Sequence, residues 1–144
     1  MNGLDLYIPE LGKSITRLKR VPGERPLFWI GSSKDDLLAF PEAVKDDIGT
    51  ALSAAQFGGK HPSSKPWKGL GPGIFEIVEH HRGDTYRAVY TVKFESAVYA
   101  LHAFQKKSPS GIKTPKHDIE LIAQRLRLAK QHSEGQYGTR EKQT

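Results

Sequence analysis

Between Ile74 and Phe104 three apolar runs follow one another with only short polar breaks, and nothing else in the chain constrains its fold as much. The runs are Ile74 to Glu79, Thr85 to Val92 and Ala97 to Phe104. Each is rich in β-branched and aromatic side chains, which favour strands. The breaks, His80-His81-Arg82-Gly83-Asp84 and Lys93 to Ser96, are too short to hold a crossover helix. Strands joined this way pair antiparallel, so the spacing predicts a three-stranded meander. In the second run Tyr86, Ala88, Tyr90 and Val92 share one face, and Arg87, Val89 and Thr91 the other. In the third, Val98, Ala100, His102 and Phe104 alternate against Ala97, Tyr99, Leu101 and Ala103.

The flanks supply helices. Leu27-Phe28-Trp29-Ile30 reads as a short buried strand ending at Gly31. Ser32-Ser33 then opens a helix whose first turn carries Asp35 and Asp36, and Pro41 interrupts it. A second helix starts at Pro41 or Glu42, with Val44, Ile48, Ala51, Leu52 and Ala55 at inward spacing, and stops at Gly58-Gly59. Residues 60–73 are a Pro-, Gly- and Ser-rich loop with Lys60, Lys65, Lys68 and Trp67. The tryptophan either plugs the edge of the core or offers a base a surface to stack on. Thr114-Pro115 opens the last helix, and Ile119, Ile122, Ala123 and Leu126 form its apolar stripe. Arg125, Arg127 and Lys130 give its C-terminal half a positive charge.

The expected organisation is an arm at 1–25, one domain at 26–132 and a polar, frayed tail at 133–144. The arm holds Lys13, Arg17, Lys19 and Arg20, and is read as loosely ordered. The expected fold class is α+β. An antiparallel sheet, made of the N-terminal strand and the meander, carries two N-terminal helices and a C-terminal helix on one side.

Charge is uneven along the chain. Residues 1–101 hold 13 Lys/Arg against 12 Asp/Glu, whereas residues 102–144 hold 9 against 4. The excess surrounds Phe104 to Pro115, FQKKSPSGIKTP, which joins the last strand to the last helix. This stretch offers cations (Lys106, Lys107, Lys113), hydroxyls (Ser108, Ser110, Thr114) and a helix start, with no acidic residue. Such a patch suits a polyanion or an acidic partner, and equally a solvated basic surface. The chain has no cysteine, which removes thiolate chemistry and Cys-based zinc sites. The start, MNGLDLYIPEL, lacks the pattern of a leader, and no apolar segment approaches the ~20 residues needed to span a bilayer. The expectation is a cytoplasmic protein with no membrane partner.

Few residues read as chemical. Arg87 lies mid-strand and either pairs across the sheet with Glu76 or holds a phosphate in its guanidinium fork. His102 is either a half-buried strand residue or a site residue near the basic stretch. His80-His81 has no third ligand at suitable spacing, so no metal is expected.

From the strand that holds Glu76 onward, the chain resembles the RelE/HigB toxin superfamily, in its phage-derived Gp49-like branch. The resemblance lies in the Tyr86-Arg87 strand, the Leu101-His102-Ala103-Phe104 strand end, the Lys106-Lys107-Ser108 after it and the Lys113-Thr114-Pro115 opening the last helix. It covers about residues 26–130 and leaves out the arm. It implies a RelE-like fold and a type II toxin–antitoxin toxin. Such a toxin is an endoribonuclease that cuts mRNA, often on the ribosome, and is silenced by a cognate antitoxin, here a small helix-turn-helix protein. The family's 2′-hydroxyl attack on the phosphate uses no metal or other cofactor. The resemblance puts Arg87 and Lys106 on the phosphate and Lys107, Ser108, Lys113 and Lys68 on the RNA. His102 is the named candidate proton shuttle, and a lysine whose pKa is depressed by neighbouring cations is another. Two other readings share the fold: a ParE-like toxin that poisons gyrase by protein contact, and a non-catalytic phage-derived RNA-binding module.

Overall fold

The computed structural model describes residues 5–8, 13–16, 21–106 and 114–143. Its elements in order are β1 (Asp5–Ile8), β2 (Lys13–Thr16), β3 (Leu27–Trp29), α1 (Ser33–Leu38), α2 (Glu42–Gln56), β4 (Ser64–Pro66), β5 (Ile74–His81), β6 (Asp84–Thr91), β7 (Val98–Lys106) and α3 (Lys116–Gln143). The α+β class and the meander of β5, β6 and β7 hold.

Four expectations change. The sheet has five strands in the order β3-β7-β6-β5-β4, and β3 runs parallel to β7, so the sheet is mixed. Two helices follow β3 before the sheet resumes, so no hairpin forces an antiparallel neighbour. The loop at 60–73 contributes an edge strand, β4, antiparallel to β5. Pro66 ends this strand at the outside of the sheet, where a missing N–H is tolerated. The arm contains an antiparallel pair, β1 with β2, with Asp5 opposite Thr16. Finally, α3 runs on through the expected tail to Gln143.

The helices cover both faces of the sheet. Val44, Ile48, Ala51, Leu52 and Ala55 of α2, with Leu37 of α1, bury against Ile77, Tyr86, Ala88, Tyr90, Val98, Ala100 and Ala103. On the other face Ile122 and Ala129 of α3 meet Phe28, Val89, Tyr99, Leu101 and Phe104. The expected one-sided arrangement fails because β7 is buried on both faces from Val98 to Phe104, and such a strand needs a layer on each side.

The alternation expected in β7 breaks midway. Tyr90 pairs with Ala100 but Val89 with His102, so Leu101 is an extra residue in a β-bulge. Beyond the bulge the strand changes phase. Ala103 packs in the α2 layer and Phe104 in the α3 layer, the reverse of simple alternation with Ala100. Paired residues share a face, so His102, Phe104 and Lys106 come to lie with Val89, Arg87 and Thr85 on the α3 side. Without the bulge Lys106 would face α2 and Arg87 would face α3.

A bulge leaves ladder groups unpaired. Here the Leu101 carbonyl accepts a hydrogen bond from Arg125 of α3 at 3.0 Å. Arg125 also donates to Ser32 Oγ at 3.0 Å and is only 8% exposed. Its charge suggests a solvent-facing cation of α3, and instead it ties α3 to β7 and to the start of α1. Gly31 permits this: it has φ of +60°, and a Cβ there would sit 2.7 Å from the Arg125 Nε.

Candidate active site

Lysine, glutamate and arginine side chains meet where β4, β5 and β6 present their α3-side face beyond the cover of the helix. Register decides which residues arrive there. Lys65 of β4 is opposite Glu76 of β5, and Val78 of β5 is opposite Arg87 of β6. A cleft of about 550 Å³ opens over them, lined by Lys65, Pro66, Trp67, Lys68, Glu76, Arg87, Thr114 and Ile119. The last two belong to the entrance of α3, so sheet and helix start wall the cleft together.

At its base Arg87 Nη1 donates to Glu76 Oε1 at 2.6 Å, and both side chains are mostly buried, at 15% and 12% exposure. Of the two readings of Arg87, the cross-strand pair is therefore present in this structure. The pair does not satisfy the guanidinium: Nε is buried and has no hydrogen-bond partner among the described residues. A buried donor left in that state costs about 1–3 kcal/mol, and an incoming acceptor would recover it. Lys65 and Lys68 are exposed at the rim. Trp67 is 8% exposed and packs in the α3-side core with Ile74, which makes it a plug of the core edge more than a stacking surface. Ile119, expected in the core stripe of α3, is 43% exposed and faces the cleft, because the buried stripe is Ile122, Arg125, Ala129 and Ser133.

Of the remaining candidates, Lys106 is opposite Thr85, one pair along from Arg87 and Phe104 on the same face, and is half-buried. Lys107, Ser108 and Lys113 lie outside the described residues.

His102 shares the face but is closed off. Its Nε2 is 2.7 Å from Asp118 Oδ1, its Nδ1 is 3.3 Å from Arg125 Nη1, and its ring stacks on Phe104 with centroids 4.8 Å apart. Arginine can only donate, so Nδ1 accepts and Nε2–H donates to Asp118, which defines a neutral tautomer. Burial pushes the ring's pKa below the usual histidine value. Asp118 opposes that shift, and the Arg125 charge reinforces it. With both nitrogens engaged and 7% exposure, His102 is a poor proton shuttle, and that expectation is set aside.

Glu76 enters as a site residue that sequence reasoning treated only as a partner for Arg87. The signal was a carboxylate inside an otherwise apolar strand, IFEIV. Among the described residues, no group of three or more His, Cys, Asp or Glu side chains is placed to hold a metal ion. None of the described helices is long and apolar enough to cross a membrane.

The site is thus a mostly buried acid–arginine pair under a cleft with lysines at its rim, on an α+β sheet. The family is defined more closely: residues 35–127 match the model of the phage derived protein Gp49-like family. The chain belongs to that family, which is part of the RelE/HigB-like toxin superfamily, as the strand and loop motifs led one to expect. No curated protein and no solved structure matches the chain.

Proposed function

We propose that the protein is the toxin of a type II toxin–antitoxin system and an endoribonuclease that cuts mRNA without a metal. Its membership of the Gp49-like family is consistent with a toxin. The observation that carries the reading to catalysis is the Arg87–Glu76 pair at the base of the cleft, with an unpartnered guanidinium N–H beside it.

RNA lies across the cleft with a phosphodiester over Arg87. The guanidinium offers Nε–H and its remaining N–H groups to the non-bridging oxygens, whose charge grows as the 2′-hydroxyl attacks. Lys106, on the same face, adds a second cation, and Lys65 and Lys68 hold the flanking backbone. Glu76 is the general base: as Arg87 turns to the phosphate, the freed carboxylate takes the 2′-hydroxyl proton. Lys107, Ser108 and Lys113 extend the RNA contact. The ribosome presents the message, and a small helix-turn-helix antitoxin silences the toxin in the cytoplasm.

Controlled expression with primer extension on cellular transcripts tests this. Wild-type protein should arrest growth and leave cut mRNA, and Arg87→Ala and Glu76→Gln should abolish both effects. DNA damage linked to gyrase without cut transcripts would overturn the reading in favour of a ParE-like mode.

A further inference from the structure

The proposed cleavage still lacks a group to protonate the leaving oxygen, and any candidate for that role rests on the nuclease reading itself. His80 sits on the sheet face that carries Glu76 and Arg87, and two features set its place and its neighbours there. The first is the turn at the end of the β5–β6 hairpin. Arg82 and Gly83 both have positive φ, +49° and +86°, as a two-residue type I′ turn requires. So tight a turn allows one register: His81 opposite Asp84, His80 opposite Thr85, Val78 opposite Arg87 and Glu76 opposite Val89. The second is the bulge at Leu101, which brings Lys106 opposite Thr85. One row of this face therefore reads His80, Thr85, Lys106, and the next reads Val78, Arg87, Phe104.

Along β5 the order on this face is Glu76, Val78, His80, with Arg87 beside the middle position. At about 3.3 Å per residue, Glu76 and His80 are about 13 Å apart along the strand. A separation of that size leaves room for one phosphodiester between the two side chains. In-line displacement asks for this: the attacking and leaving oxygens lie on opposite sides of phosphorus, so base and acid must approach from opposite sides.

The state of the ring also suits an acid. His80 is exposed, unlike His102. Its Nδ1 is 3.2 Å from Thr85 Oγ1, and this is the ring's only hydrogen bond among the described residues. When the imidazole is charged, Nδ1–H donates to Thr85 and orients the ring, while Nε2–H remains for substrate.

We infer that His80 is the general acid of the cleavage, placed across Arg87 from the base Glu76. The 2′-oxygen forms its bond to phosphorus as its proton passes to the Glu76 carboxylate. The bond from phosphorus to the 5′-oxygen breaks, and that oxygen takes the proton from His80 Nε2. The products are a 2′,3′-cyclic phosphate and a 5′-hydroxyl, and solvent exchange returns the proton from Glu76 to His80. The charged and titratable groups that share this side of the sheet with His80 include Lys65, Glu76, Arg87, His102 and Lys106, and Arg82, His81 and Asp84 flank it in the turn.

The test compares two synthetic single-stranded RNAs of mixed sequence, each offered free and on ribosomes. One has the ordinary 5′-oxygen, and the other a 5′-bridging sulfur, which leaves as a thiolate without a proton. His80→Gln should slow cleavage of the oxygen substrate by about 10²- to 10⁴-fold and restore near wild-type cleavage of the sulfur substrate. Glu76→Gln should stay slow on both RNAs. Equal loss on both RNAs in His80→Gln, or wild-type cleavage of the oxygen substrate, would overturn the assignment while the nuclease stands. Failure of the wild-type protein to cut either RNA would remove the parent reading and this inference with it. His80 is exposed at a turn, so an unchanged melting temperature is expected and checks that the variant is folded.

Discussion

Two arginines on the α3 side of the sheet each meet an acid or a histidine, and they differ in how completely they are satisfied. Arg125 donates to a carbonyl, a hydroxyl and a ring nitrogen, and lies 8% exposed between α3, β7 and the start of α1. Arg87 is held by a single carboxylate oxygen, keeps one N–H without a partner and opens onto a cleft. A buried cation with three N–H groups committed to protein partners has little left for a ligand, and removing it leaves those partners stranded. A cation with donors to spare contributes less to stability and more to whatever enters beside it. The same residue type thus ties elements together at one place and keeps an unpartnered donor at the other.

Substitutions that separate stability from activity can break this contrast. The largest effect is expected at Arg87→Ala, with transcript cleavage down by about 10²- to 10³-fold, as for loss of one transition-state donor. Its urea midpoint should fall as well, because the Glu76 carboxylate, 12% exposed, loses its partner, so cleavage is compared per folded molecule. Arg125→Met should act through stability alone. It strands the Leu101 carbonyl and His102, and should cost about 3 kcal/mol in denaturant unfolding, with cleavage falling only as the folded fraction falls. A full loss of cleavage in fully folded Arg125→Met would erase the distinction. Gly31→Ala attacks the same cluster from the backbone. A left-handed residue with a Cβ, pressed on the Arg125 guanidinium, should lose about 2 kcal/mol.

The smallest effect is a pH dependence. The folded-state pKa of His102 is lowered by burial, so its neutral form is favoured in the native state. Its contribution to stability is present above the unfolded histidine value of about 6.5 and is lost as pH falls through the lower folded value. His132 shifts the same way, chiefly by burial beside Phe28 and Tyr99, and adds to the trend. Unfolding free energy measured from pH 7.5 down to about pH 5 should therefore decline, and His102→Gln should flatten part of that slope. An unchanged slope would mean that His102 is not held neutral by its setting.

Much of the fold was legible because local chemistry and tertiary packing agree. The inward stripe of α2 was readable as Val44, Ile48, Ala51, Leu52 and Ala55, all of them buried. Pro41 marked the break before α2, and Gly83 the hairpin turn. What stayed hidden depended on partners distant in sequence. A strand apolar on both faces has no visible phase, so the slip at Leu101 left no mark in VYALHAF. The direction of β3 is set by β7, some seventy residues away. Arg125 was discoverable: it lies three residues after Ile122 and four before Ala129, inside the buried stripe, but charge argued for solvent. At the candidate site the Arg87–Glu76 pairing was foreseen as one of two alternatives. The cleft above it was not, because the entrance of α3 and the edge strand β4 wall it from distant parts of the chain.

The bulge in β7 makes chain length there behave like a reading frame. Up to Ala100 the strand is in one frame with β6, and from His102 onward in the other. Removing a single residue between them would not shorten a loop. It would turn Lys106 toward α2, expose Phe104's place in the α3 layer and leave the Arg125 guanidinium without its carbonyl. A chain without the extra residue would therefore not bring Lys106 to the face of Arg87. Length changes in β7 that keep the two on one face should come in pairs.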